Sequence, residues 1–397
     1  MKEPKIRFKG FSGEWKDLPF SEIAERTSST GKTGSLPGIE FEDIVSGEGC
    51  LNKDVYQKDC RKYGKIFREG DILFGKLRPY LRNILLAEFR GIAIGDFWIL
   101  RPCDNDSKFI YNLVNSEAFM RVANVSSGSK MPRADWNLVS STNFLLPQDK
   151  IEQEAIGKYF TSLDAQISAS TSRLASLKQM KAASLQTMFP QEGETVPKVR
   201  FKGFEGEWKK VKLSECLEIS TERNLNNEYG VNEVLSVSDE EGVMNQIKLL
   251  GRSYAGKSVT NYKILRTNQV VYTKSPLKAK PYGIVKVNKG ETGIVSVLYA
   301  VYDAKECVSP DYIHYYFEPT FRINNYLLPL INKGAKNTMN ISDEVSLQGD
   351  IILPNTLEEQ LRIVEYLQTL DRQIALHAQL LEKLKQIKAA CLDKMFV

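Results

Sequence analysis

Lysines, arginines and tyrosines crowd two short segments of this sequence. In KLRPYLR, Lys76, Arg78 and Arg82 surround Tyr80; in KSPLKAKPY, Lys274, Lys278 and Lys280 lead into Tyr282. Two further segments have the same character: GSKMPR, with Lys130 and Arg133, and KGAKNTMN, with Lys336, Asn337 and Asn340. These are side chains that hold phosphate oxygens and read base edges, arginine on guanine and asparagine on adenine. Any one of these lysines is equally well explained by a solvated loop. Their recurrence at matched places in two otherwise diverged halves favours nucleic acid.

Catalytic patterns are weaker. Gly251-Arg-Ser-Tyr-Ala-Gly256-Lys257-Ser258 fits G-x-x-x-x-G-K-[ST], and IVSVLYAVYD ends in Asp303 as a metal-binding strand would. A phosphate loop works because a helix starts at its lysine and offers free amides. Here VTNYKILRTNQVVY follows, which is β-prone and polar, so the reading is a basic surface loop. Asp303-Ala-Lys305 is only a fragment of a nuclease site. RPYL (78–81) and KPYG (280–283) lack the second proline of the loop with which amino-methyltransferases hold a flipped base. Two histidines, His314 and His377, leave little room for a histidine metal centre. The expectation is a non-catalytic chain that binds no metal.

The elements that must position these clusters come from length, charge and repetition. The chain has 397 residues, enough for two or three domains, with 54 Lys+Arg against 49 Asp+Glu. A net charge of +5 excludes a polybasic coat but allows localised basic surfaces. Hydrophobic residues at 42% make disorder an unsuitable description. Six cysteines form no C-x-x-C pair, and no apolar run is long enough to span a bilayer; both suggest a reduced, cytoplasmic protein.

The sequence repeats. KIRFKGFSGEWKDLPFSEI (5–23) and KVRFKGFEGEWKKVKLSEC (198–216) agree at 12 of 19 positions without a gap. Residues 144–189 likewise align with 351–396. The offset grows from 193 to 207, so the second intervening region is 14 residues longer than the first. GDILFGKLRP in KIFREGDILFGKLRP (65–79) has a weaker counterpart in KILRTNQVVYTKSP (263–276), and PQEGETVP (190–197) reads as a linker.

The closing repeats are predicted helices. Each opens with a capping box, Asp149-x-x-Glu152 and Thr356-x-x-Glu359, after a proline. Ile156, Phe160, Leu163, Ile167, Leu174 and Leu177 form a two-per-heptad seam, matched by Ile363, Leu367, Leu370, Ile374, Leu381 and Leu384. About 40 residues at 1.5 Å each give a rod of roughly 55–60 Å. The obvious partner of each stripe is the other copy, and spacing alone allows either direction. Ser170 and His377 interrupt the seam as register or edge positions, and Lys181 and Lys388 are expected to snorkel at the helix ends. Between the anchors, DILFGKL, IAIGDFWIL, QVVYTK, GIVKV and GIVSVLYAVYD read as strands. Residues 108–122 and 311–328 read as short helices, the latter broken at Pro319.

FKGF-x-GEW at the start of each half, GDILFGKLRP, and P-x-x-x-x-EQ-x-x-I leading into each helix together resemble the specificity subunit of type I restriction-modification enzymes. The resemblance spans the whole chain. It implies a mixed α+β fold with an internal pseudo-two-fold repeat, in which two α/β target-recognition domains alternate with two helices paired as an antiparallel coiled coil. The corresponding boundaries are 1–148 and 198–355 for the recognition domains, 149–189 and 356–397 for the spacer helices, and 190–197 for the linker. It further implies double-stranded DNA as ligand, read as an asymmetric bipartite site. Two methyltransferase (modification) subunits would dock on the helices, with motor-nuclease (restriction) subunits joining them. No cofactor falls to this chain; S-adenosylmethionine, ATP and Mg would be used by the partners. Lys76, Arg78, Lys130, Arg133, Lys274, Lys336 and Asn337 then lie in recognition domains. The rival reading is a coiled-coil scaffold or protein-interaction module without DNA specificity.

Overall fold

Each long helix begins with a buried glutamate, and each glutamate holds one opening repeat. A computed structural model describes all residues except 1–2, 33, 35, 58–61, 126–130, 257, 278, 334–338 and 397, and excludes the side chains of 332–333 and 339–340. Arg7 donates to the two Glu152 oxygens at 2.7 and 2.8 Å and to the Gly13 carbonyl at 2.6 Å. Trp15 Nε1 donates to the same carboxylate at 3.4 Å. The second copy repeats the arginine contacts, Arg200 meeting Glu359 at 2.6 and 2.9 Å and the Gly206 carbonyl at 2.6 Å, while Trp208 Nε1 has no partner among the described residues.

These contacts correct the expected capping boxes. Asp149 does accept from Ile151 N at 2.8 Å, and Thr356 Oγ1 from Glu359 N at 3.3 Å. The Glu152 and Glu359 carboxylates, however, turn to arginine, because a bidentate guanidinium is a stronger partner than a lone backbone N–H. The adjacent glutamines tie in the globules. Gln153 Oε1 accepts from Asp106 N at 3.0 Å, and Gln360 Oε1 from Ser309 N at 3.0 Å.

The chain forms two compact units, Met1–Arg173 with His377–Val397, and Leu174–Leu376. In the first, an antiparallel sheet runs Ala24–Thr27, Phe97–Pro102, Ile72–Gly75, Ile84–Leu86. Its residues point alternately into two cores: Ile72, Phe74, Trp98 and Leu100 on one side, Leu73, Phe97 and Ile99 on the other. Burial on both faces explains why these strands read as continuous apolar runs. Helices Ser107–Asn115 and Glu117–Ala123 cover the larger core, and Ser116 separates them by capping Phe119 N at 3.3 Å. A short pair, Lys16–Pro19 with Asn143–Leu146, joins the opening repeat to the approach of the long helix.

The second unit has the same sheet order from different residues: Leu217–Ile219, Tyr299–Ala304, Val270–Thr273, Val285–Val287. Lys209–Lys212 pairs with Asp350–Leu353. Helices Pro310–Phe317 and Thr320–Leu327 are separated at Pro319, as predicted. The run GIVSVLYAVYD is two strands, Gly293–Val295 and Tyr299–Ala304, rather than one.

The long helices are Lys150–Thr187 and Leu357–Met395. Within the first unit, Asp164 pairs with Lys388 at 2.6 Å, and Tyr159 meets Cys391 at 3.5 Å. Within the second, Lys181 pairs with Asp371 at 2.6 Å, and Ser184 meets Tyr366 at 3.3 Å. In both, the start of one helix lies beside the end of the other, so the pairing is antiparallel. Lys181 aligns with Lys388 and Asp164 with Asp371, so parallel pairing in register would set like charges together. These lysines therefore do not snorkel: Lys181 is largely buried and also binds Glu318 at 2.6 Å. Ile156, Phe160, Leu163, Leu177, Ile363, Leu367, Leu370 and Leu384 are buried; Ile167, Leu174, Ile374 and Leu381 are half-buried. Ser170 and His377 are half-buried too, and His377 Nδ1 has no partner among the described residues. Each helix ends in Met-Phe: Met395 and Phe396 enter the first unit's core, Met188 and Phe189 the second's.

Two stability predictions follow from these contacts. Arg7→Ala strands a buried carboxylate and should cost about 3–5 kcal/mol, whereas Arg7→Met with Glu152→Met removes both charges and should cost far less. Urea unfolding of the three proteins distinguishes them; equal losses would refute the role given to the pair. His314 retains an exposed edge, but dense surroundings and then the Lys286 ammonium lower its pKa from 6.5 to about 4. The unfolded chain therefore takes up this proton first, and stability present at neutral pH is lost as pH falls from about 6.5 towards 4. Between pH 7 and 5 the loss should be about 1–2 kcal/mol, discounted for the exposed edge, and His314→Gln should flatten it.

Candidate nucleic-acid interface

Two of the predicted basic segments meet in the first unit. Leu77 bridges Arg133, Arg78 N donates to Pro132 O at 2.8 Å, and Ala134 N donates to Lys76 O at 2.9 Å. This short ladder sets Lys76 and Arg133 on either side of Asp96, with the amine at 3.5 Å and the guanidinium Nε at 3.0 Å. Burial pushes the Asp96 pKa up, but the Arg133 hydrogen bond and the Lys76 charge outweigh it and leave the carboxyl below its ordinary value. Asp96 is thus an anion that orients two cations. Arg133 remains more than half exposed, with part of its guanidinium fork unused.

Arg78 and Arg82 flank the single turn Pro79–Leu81, and both adopt left-handed backbone, φ 51° and 52°. Such conformations are disfavoured for side-chain-bearing residues and survive where surrounding structure enforces them. Arg78 and Tyr80 are exposed. Arg82 is engaged within the unit, donating to the Asn115 carbonyl at 2.6 Å and pairing with Glu117.

Several residues of this surface were invisible to the sequence reading. Arg26 stacks over Trp136 at 4.8 Å, and both line an open concavity with Lys76, Trp98, Arg133 and Asn137. Lys65 donates to the Phe97 carbonyl, and burial, then the Lys76 and Arg26 charges, lowers its pKa. Arg26 lies three residues beyond the opening repeat and Trp136 three beyond Arg133; only the fold brings them together.

In the second unit, Lys263 and Lys274, which align with Lys65 and Lys76, both bind Asp343, Lys274 at 2.7 Å. Burial raises the Asp343 pKa, and the two lysine hydrogen bonds more than reverse this. Lys280 is not at the surface: its amine donates to the Glu318 carbonyl at 2.8 Å and pairs with Asp239 at 3.1 Å. Its side chain is buried and these contacts hold its charge inside the unit. Asn340 pairs through its backbone with Asn332. Lys130, Lys278, Lys336 and Asn337 lie outside the described residues.

Gly251, in left-handed backbone, ends the helix Gln246–Leu250, and among the described residues that follow, 258–262 are not helical as a phosphate loop would require. Arg252 instead stacks on Tyr254 at 4.6 Å. Among the described residues, no group of three or more His, Cys, Asp or Glu could hold a metal ion, and no helix is long and apolar enough to cross a membrane.

Residues 205–386 match the model of the type I restriction modification DNA specificity domain. No curated protein matches the chain. Among solved structures, the type I restriction-modification S subunit from M. genitalium is similar at TM-score 0.61 and 10% identity, over 100% of this chain and 99% of that one. A chain of a type I R-M system, solved to explain complex assembly and conformational transition, is similar at TM-score 0.51 and 20% identity, over 96% of this chain and 97% of that one. The second half of the chain thus matches the type I restriction modification DNA specificity domain, the first half repeats its frame, and the chain shares the fold of these type I R-M chains.

Proposed function

We propose that this chain is the DNA specificity subunit of a type I restriction-modification system and reads an asymmetric bipartite target, with one globular unit on each half-site. The observation that carries the proposal is the reuse of one frame for two different basic clusters. The same Arg–Glu and Lys–Asp contacts support both units, yet the first presents Lys76 and the exposed Arg133 on Asp96, whereas the second holds Lys263 and Lys274 largely enclosed on Asp343. Different side chains on a shared scaffold suit two unlike half-sites, and an arginine held by one carboxylate can still give donors to guanine or phosphate. Successive major grooves about 34 Å apart suit two separately anchored readers.

The helices would dock two methyltransferase subunits. The second long helix leaves Leu376, Leu380 and Ile387 exposed, a supply of apolar surface for such contacts. A chain of similar fold was solved in connection with complex assembly of a type I R-M system, which supports this reading. Motor-nuclease subunits would join the same complex in the cytoplasm. Methylation and cleavage, with S-adenosylmethionine, ATP and Mg, would belong to those partners, leaving this chain a recognition role.

The test is a methylome comparison with and without this gene, followed by duplex binding in the methyltransferase complex at several salt concentrations. Loss of one bipartite, non-palindromic methylated motif is expected; a palindromic or continuous motif overturns the proposal. Arg133→Ala should weaken cognate binding by about 1–3 kcal/mol and relax positions in one half-site only. A uniform loss across both half-sites would assign Arg133 to phosphate rather than base contact.

A further inference from the structure

The two units differ where a globule faces the paired helices, and in the first unit a cavity lies beside the difference. Residues 107–116 align without a gap with 310–319. Phe109 and Tyr312 each pack on the opening-repeat tryptophan, Trp15 or Trp208, and on the helix-end phenylalanine, Phe396 or Phe189. On this alignment Asn112 stands where the second unit has Tyr315, and Asn115 where it has Glu318.

In the second unit those two residues complete the cross-helix ion pair. Tyr315 donates its hydroxyl to Asp371 at 2.7 Å, Glu318 binds Lys181 at 2.6 Å, and the Lys181 amine lies 5.5 Å from the Tyr315 ring centre. The first unit has the equivalent pair, Asp164 with Lys388 at 2.6 Å, but neither the ring nor the second carboxylate. Asn112 is buried, and its Oδ1 accepts no hydrogen bond among the described residues. Beside these residues lies a cavity of about 840 Å³, walled by Tyr111, Asn112, Asp164 and Lys388, with Lys108 and Lys385 also on its lining. Lys108 and Lys385 are exposed and have no ion-pair partner among the described residues.

We infer that this cavity binds a nucleoside phosphate, which supplies from outside the ring, donor and anion that Tyr315 and Glu318 supply in the second unit. Asn112 Oδ1 is an acceptor in want of a donor, Asp164 has one oxygen on Lys388 and a second able to accept, and the exocyclic amino group of adenine carries two N–H bonds. Lys388, Lys108 and Lys385 are ammonium groups suited to a phosphate. The volume lies in the range of small-molecule sites. The site is separate from the basic cluster on Asp96 and does not depend on the DNA-reading proposal.

The experiment is calorimetric titration of the full chain with adenosine monophosphate, adenosine and inorganic phosphate, alongside thermal unfolding. Adenosine monophosphate should bind and raise the melting temperature, and each fragment should bind at least about tenfold more weakly, since each forgoes one set of contacts. Asn112→Tyr combined with Asn115→Glu rebuilds the second unit's arrangement, and should keep the fold and abolish binding. Lys108→Glu with Lys385→Glu changes only exposed side chains, and should weaken binding about tenfold or more. No binding by the unaltered chain overturns the inference, as does undiminished binding by the folded Asn112→Tyr/Asn115→Glu protein.

Discussion

A carboxylate buried at the start of a helix needs a cation, and that requirement organises this molecule. Glu152 and Glu359 are almost wholly enclosed. Once enclosed, each is tolerable only with its arginine in place, because an unpaired buried charge costs several kcal/mol. The arginines sit in the opening repeats, about 150 residues earlier in sequence. Their guanidinium groups also bind the turn carbonyls of Gly13 and Gly206. One bidentate pair therefore closes a loop around each globule and fixes its first and last segments together. What lies between is free to vary, provided it presents the helix N-terminus that the adjacent glutamine holds.

The same logic acts along the helices. Because the two copies carry lysine and aspartate at the same positions, antiparallel pairing exchanges them into two ion pairs, one in each unit. Ion pairs at partly exposed positions contribute little stability. Their effect is on direction and register, since a parallel alignment would set lysine against lysine and aspartate against aspartate. Stability comes instead from buried seam positions and from Met-Phe at each helix end, which enters the aromatic core beside Trp15 or Trp208.

The frame was legible in the sequence because it is written twice. Repeats of 19 and 46 residues, their order and the heptad seam are local patterns that survive without any knowledge of contacts. Helix direction was also encoded, in the spacing of Asp164 and Lys181 and its repetition in Asp371 and Lys388, but only a charge-by-charge comparison of the two copies exposes it. The surface was much less legible. Lys76 and Arg133 were identifiable by type, yet their meeting on Asp96 depends on a three-residue ladder between distant loops. Arg26, Trp136 and Asn137 carry no local signature. Lys280 shows the opposite failure: its neighbours in sequence are basic and polar, while its amine is enclosed by Asp239 and the Glu318 carbonyl. Composition reports a residue's chemistry, and only tertiary packing decides whether that chemistry faces solvent.

The carboxylates within the basic clusters reconcile the proposed reading of DNA with so modest a net charge. Asp96 and Asp343 each neutralise part of a pair of cations and hold both in place. A free lysine loop would gain affinity for any phosphate backbone and discriminate little among sequences. An arginine pinned by one edge of its fork has fewer rotamers to surrender on binding and offers its remaining donors in a set direction, which favours geometric selection over attraction. Reading specific bases against a large excess of other DNA depends on the difference between right and wrong sites rather than on total attraction. A net charge of +5 with Lys76 and Arg133 tethered on Asp96 suits the sequence reading proposed for this chain.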